Sequence, residues 1–191
     1  MYGLVNQGIE KLVVDNHGQG AWDKICDDAG IPKAEFQSIV NYDDEITYKL
    51  VAAISENLGA DAADVLRLFG GFWPNFARNT AIGRLFEFGG ETFTDFLESL
   101  DEMHDRMIMS LPELRPPSFD VEFITDDQLL LHYHSDRNGL APMVVGLLHG
   151  LALEFGQKIA VQHQARKDAG SDHDIFLVDL LEVEASDSAA A

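Results

Sequence analysis

The 191-residue sequence contains one cysteine, Cys26. That excludes an internal disulfide framework, a CxxC redox pair, and any thiolate cage for zinc or iron–sulfur. Cations are also scarce: 13 Lys plus Arg stand against 33 Asp plus Glu, a formal charge of −20. So acidic a surface repels phosphate backbones and anionic lipid, which argues against nucleic-acid and membrane partners and favours basic proteins. No apolar run approaches the ~20 residues of a membrane span. Residues 1–14 do not read as a signal peptide, because Asn6, Gln7, Glu10 and Lys11 interrupt them. The expectation is a soluble, cytoplasmic protein. No internal repeat is present, and hydrophobic residues at 46% are ordinary for a globular chain. A compact chain of this length has a radius of gyration of roughly 16 Å, enough to enclose a small ligand.

What is there changes character near Pro116-Pro117. Before that pair the pattern is helical, with helices expected over 3–14, 21–29, 43–58, 61–72 and 92–111. Asp43-Asp44 reads as a cap, and Gly30 and Gly59 as stops. After it come strands over 118–125 and 128–135, a hairpin around Asp126-Asp127. A helix follows over 140–155, then strands over 158–164 and 174–181 joined by a polar loop, with a frayed tail at 182–191. The fold class expected is α+β: an N-terminal helical lobe packed on a C-terminal antiparallel sheet with helices.

One residue is out of character. In the helix over 92–111, apolar residues fall at 96/97, 100, 103, 107/108 and 111, and His104 points with that stripe. Its neighbours Asp101, Glu102, Asp105 and Arg106 are expected to face away. An imidazole in a dry apolar place stays neutral, and a neutral ring nitrogen is a good axial ligand for haem iron. From position alone, a core histidine bonded to a backbone carbonyl fits better.

The strand over 128–135 carries a second group. Period two puts Leu129, Leu131, Tyr133, Ser135 and Arg137 on one face. Phenol, hydroxyl and guanidinium together suit a carboxylate; a strand emerging into solvent fits the same pattern. The other face carries His132 and His134, an HxH pair able to bind zinc, with no third ligand signalled nearby. His163 and His173 read as surface residues.

Taken together, the chain resembles the haem nitric oxide/oxygen-binding (H-NOX) family, whose haem domain also occurs in soluble guanylate cyclase. The segments that carry the resemblance are Met1-Tyr2-Gly3-Leu4-Val5-Asn6, Asp44 through Thr47-Tyr48, and Phe69-Gly70-Gly71-Phe72-Trp73. It continues in Leu100-Asp101-Glu102-Met103-His104, Pro116-Pro117-Ser118-Phe119, Tyr133-x-Ser135-x-Arg137 and Gly146-Leu147-Leu148-His149-Gly150. The resemblance implies a single domain over 1–181, with a helical lobe over about 1–60, an α/β lobe over about 61–181, and haem b enclosed between them. It makes His104 the proximal iron ligand and Tyr133, Ser135 and Arg137 the clamp on the haem propionates. Pro117 would press on the porphyrin, and Val5, Ile9, Trp73, Met143 and Leu147 would line the distal side. Gly146 and Gly150 permit close approach of another helix, or simply pack.

By the same resemblance, the O₂-binding branch of the family places a tyrosine on the helix after YxSxR. Here that position aligns with Met143, or with Pro142 under another gapping, and no tyrosine falls between 138 and 155. Trp73 has an N–H but reads as packing. The implied function is a bacterial stand-alone NO sensor, also binding CO, that excludes O₂ by withholding a donor. NO would release His104 and shift the two lobes. No output activity is expected, so the chain is not itself an enzyme, and the partner implied is a histidine kinase or a cyclic-di-GMP enzyme. The rival reading is a zinc-dependent hydrolase using His132 and His134.

Overall fold

A computed structural model describes residues 1–32 and 35–182. Its helices are α1 (Gly3–His17), α2 (Gln19–Ala29), α3 (Asp44–Leu58), α4 (Ala62–Arg78), α5 (Phe93–Ser110) and α6 (Ala141–Glu154). Its strands are β1 (Ser118–Thr125), β2 (Gln128–His134), β3 (Lys158–Ala165) and β4 (Asp174–Leu181). The four strands form one antiparallel sheet in the order β1-β2-β4-β3. This is the α+β architecture expected. The tail proposed for 182–191 lies, from residue 183 on, outside the described residues.

Local chemistry sets the helix ends. The Asp43 carboxylate accepts from the Glu45 N–H at 3.0 Å at the start of α3. A reciprocal capping box starts α5, where Thr92 and Asp95 each accept from the other's backbone N–H. The largest departures from expectation are two. α4 does not stop at Phe72 but continues through Pro74 to Arg78. Proline deprives the Gly70 carbonyl of its helical donor, yet Pro74 is wholly buried and burial holds the segment helical. A 3₁₀ segment, Ala81–Phe88, then fills a stretch that carried no periodic signal.

Two apolar cores result. One gathers α1, α2 and α3 with the first half of α4, around Ile9, Trp22, Ile25, Leu50 and Phe69. Within it, the buried Thr47 hydroxyl donates to Asn6 Oδ1 at 2.7 Å, joining α3 to α1. The other gathers α5, α6 and the inner sheet face, around Phe96, Leu97, Leu129, Leu131, Leu148 and Phe176. α4 serves both, and its principal partner is α6. Those two helices touch backbone to backbone. A Cβ on Gly146 would fall 2.0 Å from the Arg67 carbonyl oxygen, and one on Gly150 would fall 2.5 Å from that of Gly71. The close approach entertained for Gly146 and Gly150 is therefore real, and Gly70 shares it.

Candidate functional site

A cavity of about 750 Å³ is lined by residues of both cores. That volume lies within the range of pockets that enclose small ligands. All ten sequence-nominated residues line it: His104, Tyr133, Ser135, Arg137, Pro117, Val5, Ile9, Trp73, Met143 and Leu147. Pro142, the alternative to Met143, is not among the lining residues.

α5 delivers His104. Its ring lies 6.0 Å from that of Phe119, and its Nδ1 is shielded from solvent without a hydrogen-bond partner. Burial pulls the imidazole below its ordinary pKa; Asp101, the Pro117 backbone and Asp105 pull the other way without overcoming it. A buried, neutral imidazole with a ring nitrogen left without a hydrogen-bond partner suits a ligand to metal. Asp101 does not face away as expected. Its carboxylate accepts from the Phe119 N–H at 2.8 Å and the Ser118 hydroxyl at 2.9 Å, fastening α5 to β1 one turn before His104.

β2 delivers Tyr133, and the loop after it brings Ser135 and Arg137. The strand ends at His134, one residue short of expectation, and the Ser135 hydroxyl accepts from the Arg137 N–H at 3.1 Å. Burial raises the Tyr133 phenol's pKa and Asp174 adds to that, while Ser135 and Arg137 oppose it. Arg137 reaches across to the helical core: Nε donates to Asp44 Oδ2 at 2.8 Å, Nη2 to Asp44 Oδ1 at 3.4 Å, and Nη1 to the Arg115 carbonyl at 2.7 Å. Three of five guanidinium N–H donors are so engaged, which leaves capacity for a ligand carboxylate. Burial raises the Asp44 carboxyl's pKa, but the Met1 ammonium and Arg137 outweigh it and hold it below the ordinary range.

Asp44 and Tyr48 are among the cavity residues that sequence reasoning did not nominate for the site. Tyr48 donates to the Asn138 carbonyl at 3.0 Å, a second tie between α3 and the loop carrying Arg137. The only available signal was their place in Asp44-Glu45-Ile46-Thr47-Tyr48, where Asp44 read simply as a cap.

Tyr2, Asn41, Tyr42, Thr47, Glu113 and Arg115 also reach the lining, while the wall from three of the helices is apolar. From α1, α4 and α6 come Leu4, Val5, Ile9, Leu66, Phe69, Trp73, Met143, Val144 and Leu147. Among these the Trp73 indole is the single side chain with an N–H or O–H; its ring meets Phe69 edge-on at 5.7 Å.

The comparisons with known proteins agree with this geometry. The family model described as "Haem-NO-binding" matches residues 2–163. The chain belongs to the haem-NO-binding family. Solved H-NOX proteins share its fold, and soluble guanylate cyclases contain a segment similar to it. It is 30% identical over 171 residues to soluble guanylate cyclase gcy-33 of Caenorhabditis elegans, a match over 89% of this chain and 18% of that protein. The first curated relatives are matched over only 18% to 28% of their own length. An H-NOX protein from S. oneidensis in the Fe(II)NO state superposes with a TM-score of 0.86 at 23% identity, covering 95% of this chain and 100% of that one. The Fe(II)CO form of the S. oneidensis H-NOX domain gives 0.81 at 24%, covering 96% and 100%. At such identities these two establish the fold.

The hydrolase reading finds no support. His132 and His134 lie outside the cavity, and no three imidazole, thiol or carboxylate groups among the described residues are placed to hold a metal ion. Nor are His163 and His173 simple surface groups: His163 pairs with Asp174 at 2.8 Å and stacks on Phe176, and His173 contacts both His132 and His134. No helix among the described residues is long and apolar enough to cross a membrane.

Proposed function

We propose that this H-NOX domain is a cytoplasmic NO sensor that holds haem b through His104 and signals to a separate effector. The observation that carries the reading is the pairing, in one cavity, of a buried neutral imidazole with a wall from α1, α4 and α6 that offers one indole N–H and otherwise only hydrocarbon and thioether. Bound haem would supply a ferrous iron able to take diatomic gases. His104 would hold that iron, Pro117 would bear on the ring, and Tyr133, Ser135 and Arg137 would receive its carboxylates, with Asp44 orienting the guanidinium. Val5, Ile9, Met143 and Leu147 offer no proton, so ligands that need a hydrogen bond for tight binding are disfavoured against NO and CO.

Signal output follows from what is fastened to what. α5 carries His104 and is bound to β1 through Asp101, while Arg137 and Tyr48 tie the loop after β2 to α3. A change in the hold on His104 moves α5 against β1, and a change at the carboxylate clamp moves the sheet side against the helical side. The domain itself performs no catalysis. Its acidic surface suits a basic partner face, and a histidine kinase or cyclic-di-GMP enzyme is the effector class we favour.

Reduced protein, its spectrum recorded without gas, in air, under CO and under NO, tests this. The Soret band should shift with CO and NO and stay unchanged in air. A stable oxygen complex would overturn the selectivity argument, and absence of haem after reconstitution would overturn the whole reading. Met143→Tyr, which places a hydroxyl on the apolar wall, should confer measurable oxygen binding.

A further inference from the structure

Asp174 carries the wrong charge for its neighbourhood. It opens β4, pairs in register with Tyr133 of β2, and is buried. Its negative charge bears on the Tyr133 phenol, one of the three groups proposed to receive the haem carboxylates. A buried carboxylate costs desolvation, and beside an anionic ligand it repels, so it needs partners. Asp174 Oδ1 accepts from His163 Nε2 at 2.8 Å and from the Lys167 N–H at 3.1 Å. His163 is itself fixed, its ring stacked on the wholly buried Phe176 with centroids 4.6 Å apart.

Those two bonds shape the link between β3 and β4. Its register slips between His163 and Ala165, and Lys167–Ala169 forms a single 3₁₀ turn closed by Gly170 in the left-handed region. Lys167 leads that turn and is half-buried, whereas Arg166 and residues 168–170 are exposed. Its ammonium donates to the Ser135 carbonyl at 2.7 Å. With 33 acidic side chains against 13 basic ones, a lysine in this chain has a carboxylate as its default partner. Lys11, Lys24 and Lys49 each take one a helical turn away. Lys167 instead reaches the backbone of the carboxylate clamp, although a held lysine stem gives up much rotamer freedom.

Ser135 is where that hold matters, because its hydroxyl accepts from the Arg137 N–H and so sets the course of the loop that presents the guanidinium. We propose that Lys167 is a positioning residue of the carboxylate clamp, set in place by Asp174 and His163. It fixes the 135–137 loop from the sheet side, as Asp44 fixes Arg137 from the helical side. Its positive charge also offsets Asp174 close to where an anionic ligand is received. Lys167, Asp174 and His163 all lie outside the cavity lining and act on it through Ser135. The inference rests on the reading of the cavity as a haem site.

The test is the rate of transfer to a haem scavenger, followed at the Soret band, for native haem and for haem dimethyl ester, whose side chains carry no charge. Lys167→Met should release native haem about threefold to tenfold faster than wild type, the net worth of one hydrogen bond. It should not hasten loss of the ester. Lys167→Arg, which keeps a donating cation, should restore retention, and Lys158→Met, at the exposed start of β3, should behave as wild type. Asp174→Ala should act in the same direction and add little to Lys167→Met; if it fails to fold by circular dichroism, Lys167→Met alone decides. In haem-free protein, Lys167→Met should speed amide hydrogen exchange at Arg137 and leave β1 unchanged. Wild-type haem loss in Lys167→Met, or equal acceleration with the ester, overturns the proposal. Unchanged exchange at Arg137 overturns it too, and that measurement needs no haem. Absence of haem uptake by the wild type overturns the proposed function instead.

Discussion

The cavity's two walls are built by opposite rules. The side from α5 and the end of β2 presents groups that carry charge or a proton, and several of them are fastened: Arg137 to Asp44 and Arg115, and α5 itself through Asp101 to β1. The side from α1, α4 and α6 presents hydrocarbon, and its backbones pack so tightly that glycine is required. On the first side the identity of a side chain matters, and on the second its absence matters. Under the proposed function the fastened wall decides whether haem stays, and the apolar wall decides which gas is held.

The sharpest way to break that division is to delete the imidazole. His104→Gly should raise the rate of haem loss by about a hundredfold or more, since direct ligands exceed the 10–100-fold typical of outer-shell groups. Free imidazole should restore retention, as read by the Soret band during transfer to a haem scavenger. Val5→Ala, on the apolar wall, should leave retention within a few-fold of wild type. Equal losses from the two variants would end the distinction.

Next in size is the helix crossing. Gly146→Ala puts a Cβ into the Arg67 carbonyl oxygen, and neither backbone can yield cheaply. The expected cost is about 3 kcal/mol by urea denaturation. Gly20→Ala, in α2 where a Cβ meets nothing within 4 Å, is the control and should stabilise by about 0.5–1 kcal/mol.

These two sites differ in how plainly they can be read from sequence. His104 is conspicuous because period 3.6 places a polar ring on an apolar stripe, and period two lines up Tyr133, Ser135 and Arg137; all four do line the cavity. Gly146 and Gly150 are visible as a spacing, but only the path of α4 shows that they meet a backbone. Other features have no local signature. The Arg137–Asp44 pair joins residues 93 apart, and Asp101 turns inward because β1 offers it two donors that helix periodicity cannot show. Pro74 reads as punctuation and proves to be core. His173 reads as surface until the sheet sets it against His132.

Arg137→Ala sharpens the comparison from within the fastened wall. Losing the charged contact should speed haem loss about tenfold, consistent with a charge-assisted bond of roughly 1.5–3 kcal/mol partly replaced by water. The order of preference among gases should not change, because the apolar wall is untouched. A change in that order on Arg137→Ala would mean that the two walls do not act separately.

The smallest effect is in pH, and it separates the walls in the haem-free protein. Burial holds the His104 pKa below that of an unfolded imidazole, about 6.5. The folded state therefore binds fewer protons than the unfolded chain in that window, and stability rises with pH there. The contribution is fully present above about pH 6.5 and is lost as pH falls through the folded value. Asp44, also lowered, behaves with the same sign, but in the region below about pH 4. Urea denaturation of haem-free protein at pH 7.5 and 5.5 should thus show a smaller fall in stability for His104→Gln than for wild type, while Asp44→Asn alters only the acid limb. An undiminished fall in His104→Gln would mean that the imidazole is not held neutral by burial, and the fastened wall would then lose the property that suits it to grip a metal.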